Sequence, residues 1–126
     1  MLIRIDFNSD EPLYMQLRNQ IINGIANAEL QEGESLPSVR ELADNIGINM
    51  HTVNKAYAIL RQEGYLKLDR RHGAVICIEQ DKQKAKVETM SAMKDIIARA
   101  ICKDITRSEV HDMVEKIYDE FMSDDE

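Results

Sequence analysis

Two cysteines, Cys77 and Cys102, are all the sequence has, and they lie in different segments without metal-type spacing. A disulfide scaffold is excluded by number, and a reduced, cytoplasmic setting is expected. No apolar run exceeds a few residues, so no transmembrane helix is expected. Residues 1–10 lack the charged leader and apolar stretch of a secretory signal. Internal repeats and low-complexity segments are missing too. The three histidines, His51, His72 and His111, are far apart. No Ser/His/Asp set, phosphate-cradling glycine loop or paired-cysteine motif accompanies them. Neither catalysis nor a metal or other cofactor is expected. A basic excess is also lacking: 16 Lys and Arg stand against 23 Asp and Glu, a formal net charge of −7. At first sight that opposes nucleic-acid binding, which usually shows as a basic surface.

What is present suits one small soluble domain, or one with an appendage. The chain has 126 residues and is 44% apolar, with 5% aromatics and no tryptophan. Residues 2–7 alternate apolar and polar, as in a short strand or an extended arm. Asn8-Ser9-Asp10-Glu11-Pro12 is a helix-start signal, with acids and proline expected in the first turn. Leu13, Leu17, Ile21 and Ile25 follow at helical spacing, and this helix should end near Asn27 or Ala28. Residues 31–34 read as a turn.

Ser38 and Glu41 then have the spacing of a capping box. Val39, Leu42, Ala43 and Ile46 form one apolar stripe, and Gly47 is placed to stop the helix. Asn49 can cap a new helix, whose buried face is Val53, Ala56, Tyr57 and Leu60. Two short helices joined around a glycine describe a helix-turn-helix. Two β-rich runs, residues 65–69 and 74–78, flank Arg70-Arg71-His72-Gly73 and predict a hairpin. A hairpin in that position makes a winged helix.

The second helix of such a pair fits the major groove of DNA. Asn49, Met50, His51, Thr52 and Asn54 fall in its first turns. Asn54 suits an adenine edge or a phosphate. Arg40 and Lys55 are assigned to phosphates, and the helix N-termini, beginning at Ser38 and Asn49, add partial positive charge. Arg70, Arg71, His72 and Gly73 form a wing tip that enters the minor groove or follows the backbone. Arg61 and Lys67 are read as plain surface. The competing reading of the polar face is a solvated surface, and of the whole, a winged helix that binds protein and not DNA. Cys77, between isoleucines in a strand, is expected to fill core.

Residues 80–86 turn polar, as a linker or the first turn of a helix. Met90, Met93, Ile97, Ala100 and Ile101 then make a helical stripe. Thr106 and Glu109 form a second capping box, opening a helix with Val110, Met113, Val114, Ile117, Tyr118 and Phe121 on one side. Asp112, Glu115, Asp119 and Glu120 read as its solvated face, and residues 123–126 as a frayed tail. Two such helices cannot bury both stripes against each other and stay stable alone. Burial in a twofold partner is preferred over packing back on the winged helix, and the methionines suit an adaptable surface. Met90, Met93, Ile97, Ile101, Val110, Met113, Val114, Ile117, Tyr118 and Phe121 are therefore the candidate dimer contacts.

The run Leu36-Pro37-Ser38-Val39-Arg40-Glu41-Leu42-Ala43 resembles the GntR family of bacterial transcription regulators. The likeness continues through Ile46-Gly47-Ile48-Asn49, Thr52-Val53, Ala56-Tyr57, Leu60 and Glu63-Gly64-Tyr65. Upstream it includes Pro12-Leu13-Tyr14 and Gln16-Leu17, so it covers roughly residues 10–78. The short C-terminal extension resembles the YtrA subfamily, whose members end in two dimerising helices. The resemblance implies DNA contacts at Arg40, Asn49, Met50, His51, Thr52, Asn54, His72 and Gly73. Three positions depart from the pattern. Met50 stands where many relatives have arginine, Ala28 where glycine often ends the first helix, and the wing keeps one glycine. Asn27 is expected to supply the tight turn in place of a glycine at 28.

The expectation is a mainly α protein with a small β-hairpin. Residues 1–79 form the winged helix-turn-helix and residues 80–126 a helical dimerisation segment. Its function would be that of a cytoplasmic, homodimeric repressor on a pseudo-palindromic DNA operator. No chemistry for a small-molecule effector is legible. Residues 37–76 carry six basic against four acidic side chains, whereas residues 81–126 carry eight against twelve. The acidic balance therefore lies away from the proposed DNA face, and strong salt dependence with reliance on two half-sites is expected.

Overall fold

A computed structural model describes residues 3–122, which divide into two compact units, the first ending at Glu79 and the second beginning at Gln80. The first unit contains α1 (Leu13–Ala26), α2 (Val39–Ile46), α3 (Met50–Gln62), β1 (Leu66–Asp69) and β2 (Gly73–Ile76). The second contains α4 (Lys82–Cys102) and α5 (Arg107–Met122). The reading of residues 123–126 as a frayed tail lies outside the described residues, as does Leu2 of the arm.

Helical stripes build the core of the first unit. Leu17 and Ile21 of α1 are fully buried with Val53, Ala56 and Leu60 of α3, and Leu42 and Ala43 of α2 close one side. Leu66, Ala74 and Ile76 of the hairpin cover another. The strands pair antiparallel, Leu66 opposite Ile76 and Asp69 opposite Gly73. Cys77 is half-buried at the end of this hairpin.

Several local structures differ from the sequence expectation. The acids before Pro12 lie outside α1: Pro12 is the N-cap, and no acid occupies the first turn. Its fixed φ of −55° starts the helix without a side-chain cap. The arm at residues 3–7 is extended but is not a strand. Glutamine side chains of α1 replace a partner strand. Gln16 accepts from the Asp6 amide (2.8 Å) and donates to the Asp6 carbonyl (2.9 Å), while Gln20 accepts from the Arg4 amide (2.9 Å) and donates to the Arg4 carbonyl. Two extended residues advance about 6.7 Å and four helical residues about 6.0 Å, so the two repeats run in step.

Residues 33–36 are more than a turn. Gly33 and Leu36 donate to the carbonyls of Ile76 and Ala74, and Ile76 donates to Glu34, each at 2.8 Å. This short bridge covers the outer edge of β2, which would otherwise present unpaired backbone groups.

Helix α1 ends on Ala28, not Asn27, in the left-handed region. Ala28 has φ 68°, whereas Asn27 has φ −93°. The left-handed conformation costs an alanine roughly 1–2 kcal/mol, part of which glycine would return as unfolded-state freedom. Ala28→Gly should therefore stabilise the protein by about 0.5–1 kcal/mol, read as a higher urea midpoint with unchanged slope. A lower midpoint would contradict this assignment.

The polar stretch at residues 80–86 resolves as the start of α4, with the Asp81 carboxylate accepting from the Lys84 amide (3.1 Å). No residue of α4 or α5 is buried. Among the described residues, no helix is long and apolar enough to cross a membrane.

Candidate nucleic-acid interface

The entry to α2 is locked by its own sequence. Ser38 Oγ accepts from the Glu41 amide (3.1 Å), and the Glu41 carboxylate accepts from the Ser38 amide (3.2 Å). Gly47, at φ 72°, closes the helix after eight residues. Asn49 Oδ1 then accepts from the His51 amide (2.6 Å) and starts α3. The oxygen of Asn49 is thus committed to capping, and its amide NH2 is the part left to face a ligand. Tyr57 on α3 donates its hydroxyl to the Pro37 carbonyl (2.8 Å). That bond ties the middle of α3 to the residue preceding the α2 cap. Burial, with the Glu41 charge second, holds the Tyr57 phenol above its ordinary range, so it stays a donor.

Successive helical residues are turned by about 100°, which sorts the candidates on α3. Met50, His51 and Asn54 share the exposed side with Arg61. Thr52 is half-buried and turned roughly 160° from Asn54. It belongs to the flank facing away from the wing, so the two are not brought together. Lys55 is exposed, but its Nζ lies 4.0 Å from the centroid of the Tyr14 ring on α1, a cation–π contact.

The wing tip is organised by Asp69. Its carboxylate accepts from the amides of Arg71 (2.8 Å) and His72 (3.2 Å), and His72 Nδ1 stands 3.3 Å away. The Arg71 amide is the main cause holding the Asp69 carboxyl below its usual range. His72 is thereby drawn towards Asp69, while Arg70 and Arg71 point outwards and are exposed. Gly73 adopts φ 72° at the return into β2.

Between α3, the wing and the α2 cap runs an open cleft of about 300 Å³. Ser38, Asn54 and Gly73 all line it, so three candidates from three elements meet there. Arg61, expected to be plain surface, lines it as well. It lies two turns past Asn54, in the register that faces the hairpin. No carboxylate lines this cleft. Among the described residues, Arg40, Arg61, Arg70 and Arg71 make no salt bridge. The acid nearest the end of α3, Glu63, is neutralised by the Arg18 guanidinium at 2.8 Å, which also raises the pKa of Arg18.

In the second unit, Met90, Met93, Ile101, Met113, Ile117 and Tyr118 are exposed, and Ile97, Val110, Val114 and Phe121 are half-buried. Val87, Ile96 and Met122 are exposed apolar residues that the periodicity alone did not single out. The face is therefore wider than the stripe read from the sequence.

A capped helix pair with a wing and an acid-free, cationic cleft defines a winged helix DNA-binding protein. Residues 13–76 match the family described as bacterial regulatory proteins, gntR family. The Bacillus subtilis HTH-type transcriptional repressor YtrA is 31% identical over 121 residues, covering 92% of each chain. YtrA from Sulfolobus acidocaldarius, a GntR-family transcription factor, is 36% identical with a TM-score of 0.59, covering 94% of this chain and 97% of that one. A crystal structure described as a transcriptional antiterminator from Listeria monocytogenes EGD-e is 28% identical with a TM-score of 0.86, covering 97% and 93%. The chain belongs to the GntR family, and its likeness to YtrA over nearly its whole length supports the YtrA-like subfamily. It is a DNA-binding transcription regulator and not an enzyme.

Proposed function

We propose that the protein is a cytoplasmic, homodimeric repressor of a pseudo-palindromic operator. Residues 1–79 bind one half-site and residues 80–126 join two copies. The observation that carries this reading is the acid-free cleft in which Ser38, Asn54, Arg61 and Gly73 converge. A phosphate strand passing its Ser38 and Arg61 side would meet donors and a cation without a repelling carboxylate, leaving Asn54 to the groove. Met50, His51 and Asn54 face the base edges of the major groove, Arg40 contacts phosphate, and Arg70 and Arg71 reach from the wing. Asn49 and Thr52 hold the start of α3, with the Asn49 amide as their outward group. Lys55 engages phosphate by leaving the Tyr14 ring, and His72 by leaving Asp69.

The dimer follows from the exposed apolar face of α4 and α5. A twofold dimer joined there offers one α3 to each of two half-sites, and such half-sites lie about one helical turn of DNA apart. A dimer bound over a promoter represses by occupying it.

Fluorescence anisotropy on genomic fragments, with competitor DNA present, tests this function. Nanomolar binding to a few fragments is expected, and uniform micromolar binding to all of them would contradict it. Arg40→Ala should weaken every sequence alike and reduce the salt slope by about one unit, whereas Asn54→Ala should cost roughly 1–3 kcal/mol and relax specificity.

A further inference from the structure

The second unit contains a cavity that DNA binding does not use. Its corner is set by the turn after α4. Asp104 stands at φ 62°, its amide donating to Ile101 (3.1 Å), and the Ile105 amide donates to Ala100 (2.9 Å). This paired bonding reverses the chain and folds Ile105 back towards α4. A cavity of about 380 Å³ opens there between the end of α4 and the start of α5. Ile97, Ala100, Ile105 and Val110 give it apolar walls, and Arg107 and His111 supply the polar side.

The two polar residues lie one helical turn apart on α5, so they share a face. Neither side chain makes a hydrogen bond or ion pair among the described residues. No carboxylate lines the cavity, although residues 81–126 carry twelve acids against eight bases. Of the two acids closest in sequence, Glu109 is turned to its own helix start, accepting from the Thr106 amide at 2.8 Å, and Asp112, which follows His111, does not line the cavity. An apolar chamber with one uncompensated guanidinium and one imidazole at its edge has a definite complement. That complement is an apolar body with a single negative charge.

The geometry points to a binding site for a small apolar monocarboxylate at the α4–α5 corner. The carboxylate meets Arg107, whose planar fork matches its two oxygens, with His111 beside it. The hydrocarbon part displaces water from the isoleucine and valine walls. The volume lies in the lower range of small-molecule sites, which favours a body of medium-chain or single-ring size. The binding site stands apart from the regulator reading. An effect on operator binding would rest on that reading, because Ile97, Ile101 and Val110 of its lining also belong to the face proposed to join two copies.

Isothermal titration of the full-length protein with octanoate, octanol and octylamine tests the assignment. Saturable octanoate binding is expected, with octanol at least tenfold weaker and octylamine without measurable heat. Arg107→Gln should weaken octanoate about tenfold or more, and Arg107→Lys should restore part of the loss. Both variants change an exposed residue, and a circular dichroism melt checks that they fold. Absence of octanoate binding, equal binding of octanol, or an unchanged affinity in Arg107→Gln would each overturn the site. Operator binding is measured separately by anisotropy. Octanoate binding without operator binding would overturn the regulator reading and leave the site standing.

Discussion

Replacing Met90 and Ile117 by glutamate is expected to split the protein into monomers and to lower affinity for a full operator by about 10²–10⁴-fold. Both side chains are exposed in the single chain, 63% and 51%. They carry none of the packing within the winged helix, whose core is built from other residues. In the proposed dimer, each would instead bring an uncompensated carboxylate into an apolar contact, a placement several kcal/mol unfavourable. The loss at the operator has a separate origin. Joining two half-site binders makes the second contact intramolecular, which raises overall affinity by about 10²–10⁴ without any new contact. Binding to an isolated half-site should be unchanged in the double variant. Light scattering coupled to size exclusion reads the assembly, and anisotropy reads both DNA lengths. A variant that stays dimeric would place the interface elsewhere.

Gly64→Ala is expected to destabilise the winged helix by about 2–4 kcal/mol. Gly64 stands at φ 88° just past α3, with its amide bonded to Arg61 and the following amide of Tyr65 bonded to Leu60. The left-handed conformation alone costs an alanine roughly 1–2 kcal/mol. The added Cβ would also lie 2.8 Å from Glu79 Cβ, close to a backbone that is itself held by the Glu79 amide donating to the Gly64 carbonyl. That neighbour cannot swing away as the tip of a long side chain would. Because α3 hands the chain to the wing here, the strain falls on the geometry of the cleft. Urea unfolding measures the stability loss, and a variant within about 0.5 kcal/mol of the parent would contradict the account.

The caps of α2, α3 and α5 were legible because each is a local chemical pattern. Ser38 with Glu41 and Thr106 with Glu109 form both bonds of their boxes, and Gly47 stops α2 as its freedom at positive φ suggests. The buried face of α3 was legible because a period of 3.6 residues reports a face directly. Features that leave no periodic mark were not. The arm pairs with Gln16 and Gln20 through side chains, so its alternation looked like that of a strand. Residues 33–36 bridge β2 through backbone bonds alone, which any sequence can make. Ala28 takes a conformation that its side chain disfavours, because the chain on both sides fixes it.

The candidate cleft was legible in outline, through Ser38, Asn54 and Gly73, and less so in the orientation of its neighbours. Sequence spacing put Thr52 beside Asn54, but the helical turn separates them, and Lys55 lies over Tyr14, a residue from another element. Arg61 could not be told from a solvated arginine, because what distinguishes it is the wing folding across it. The exposed Val87, Ile96 and Met122 show the same limit: periodicity finds a stripe, while its width depends on what packs beside it.

Selection of binding sites from a random double-stranded DNA pool decides whether the protein reads a twofold-symmetric operator. Enrichment of one twofold-symmetric sequence is expected. Its half-sites should lie about one helical turn, or a multiple of it, apart. Binding to it should be at least about 10³-fold tighter than to unselected DNA at physiological salt. A pool that remains unenriched after repeated rounds, or binding that does not respond to salt, would contradict it.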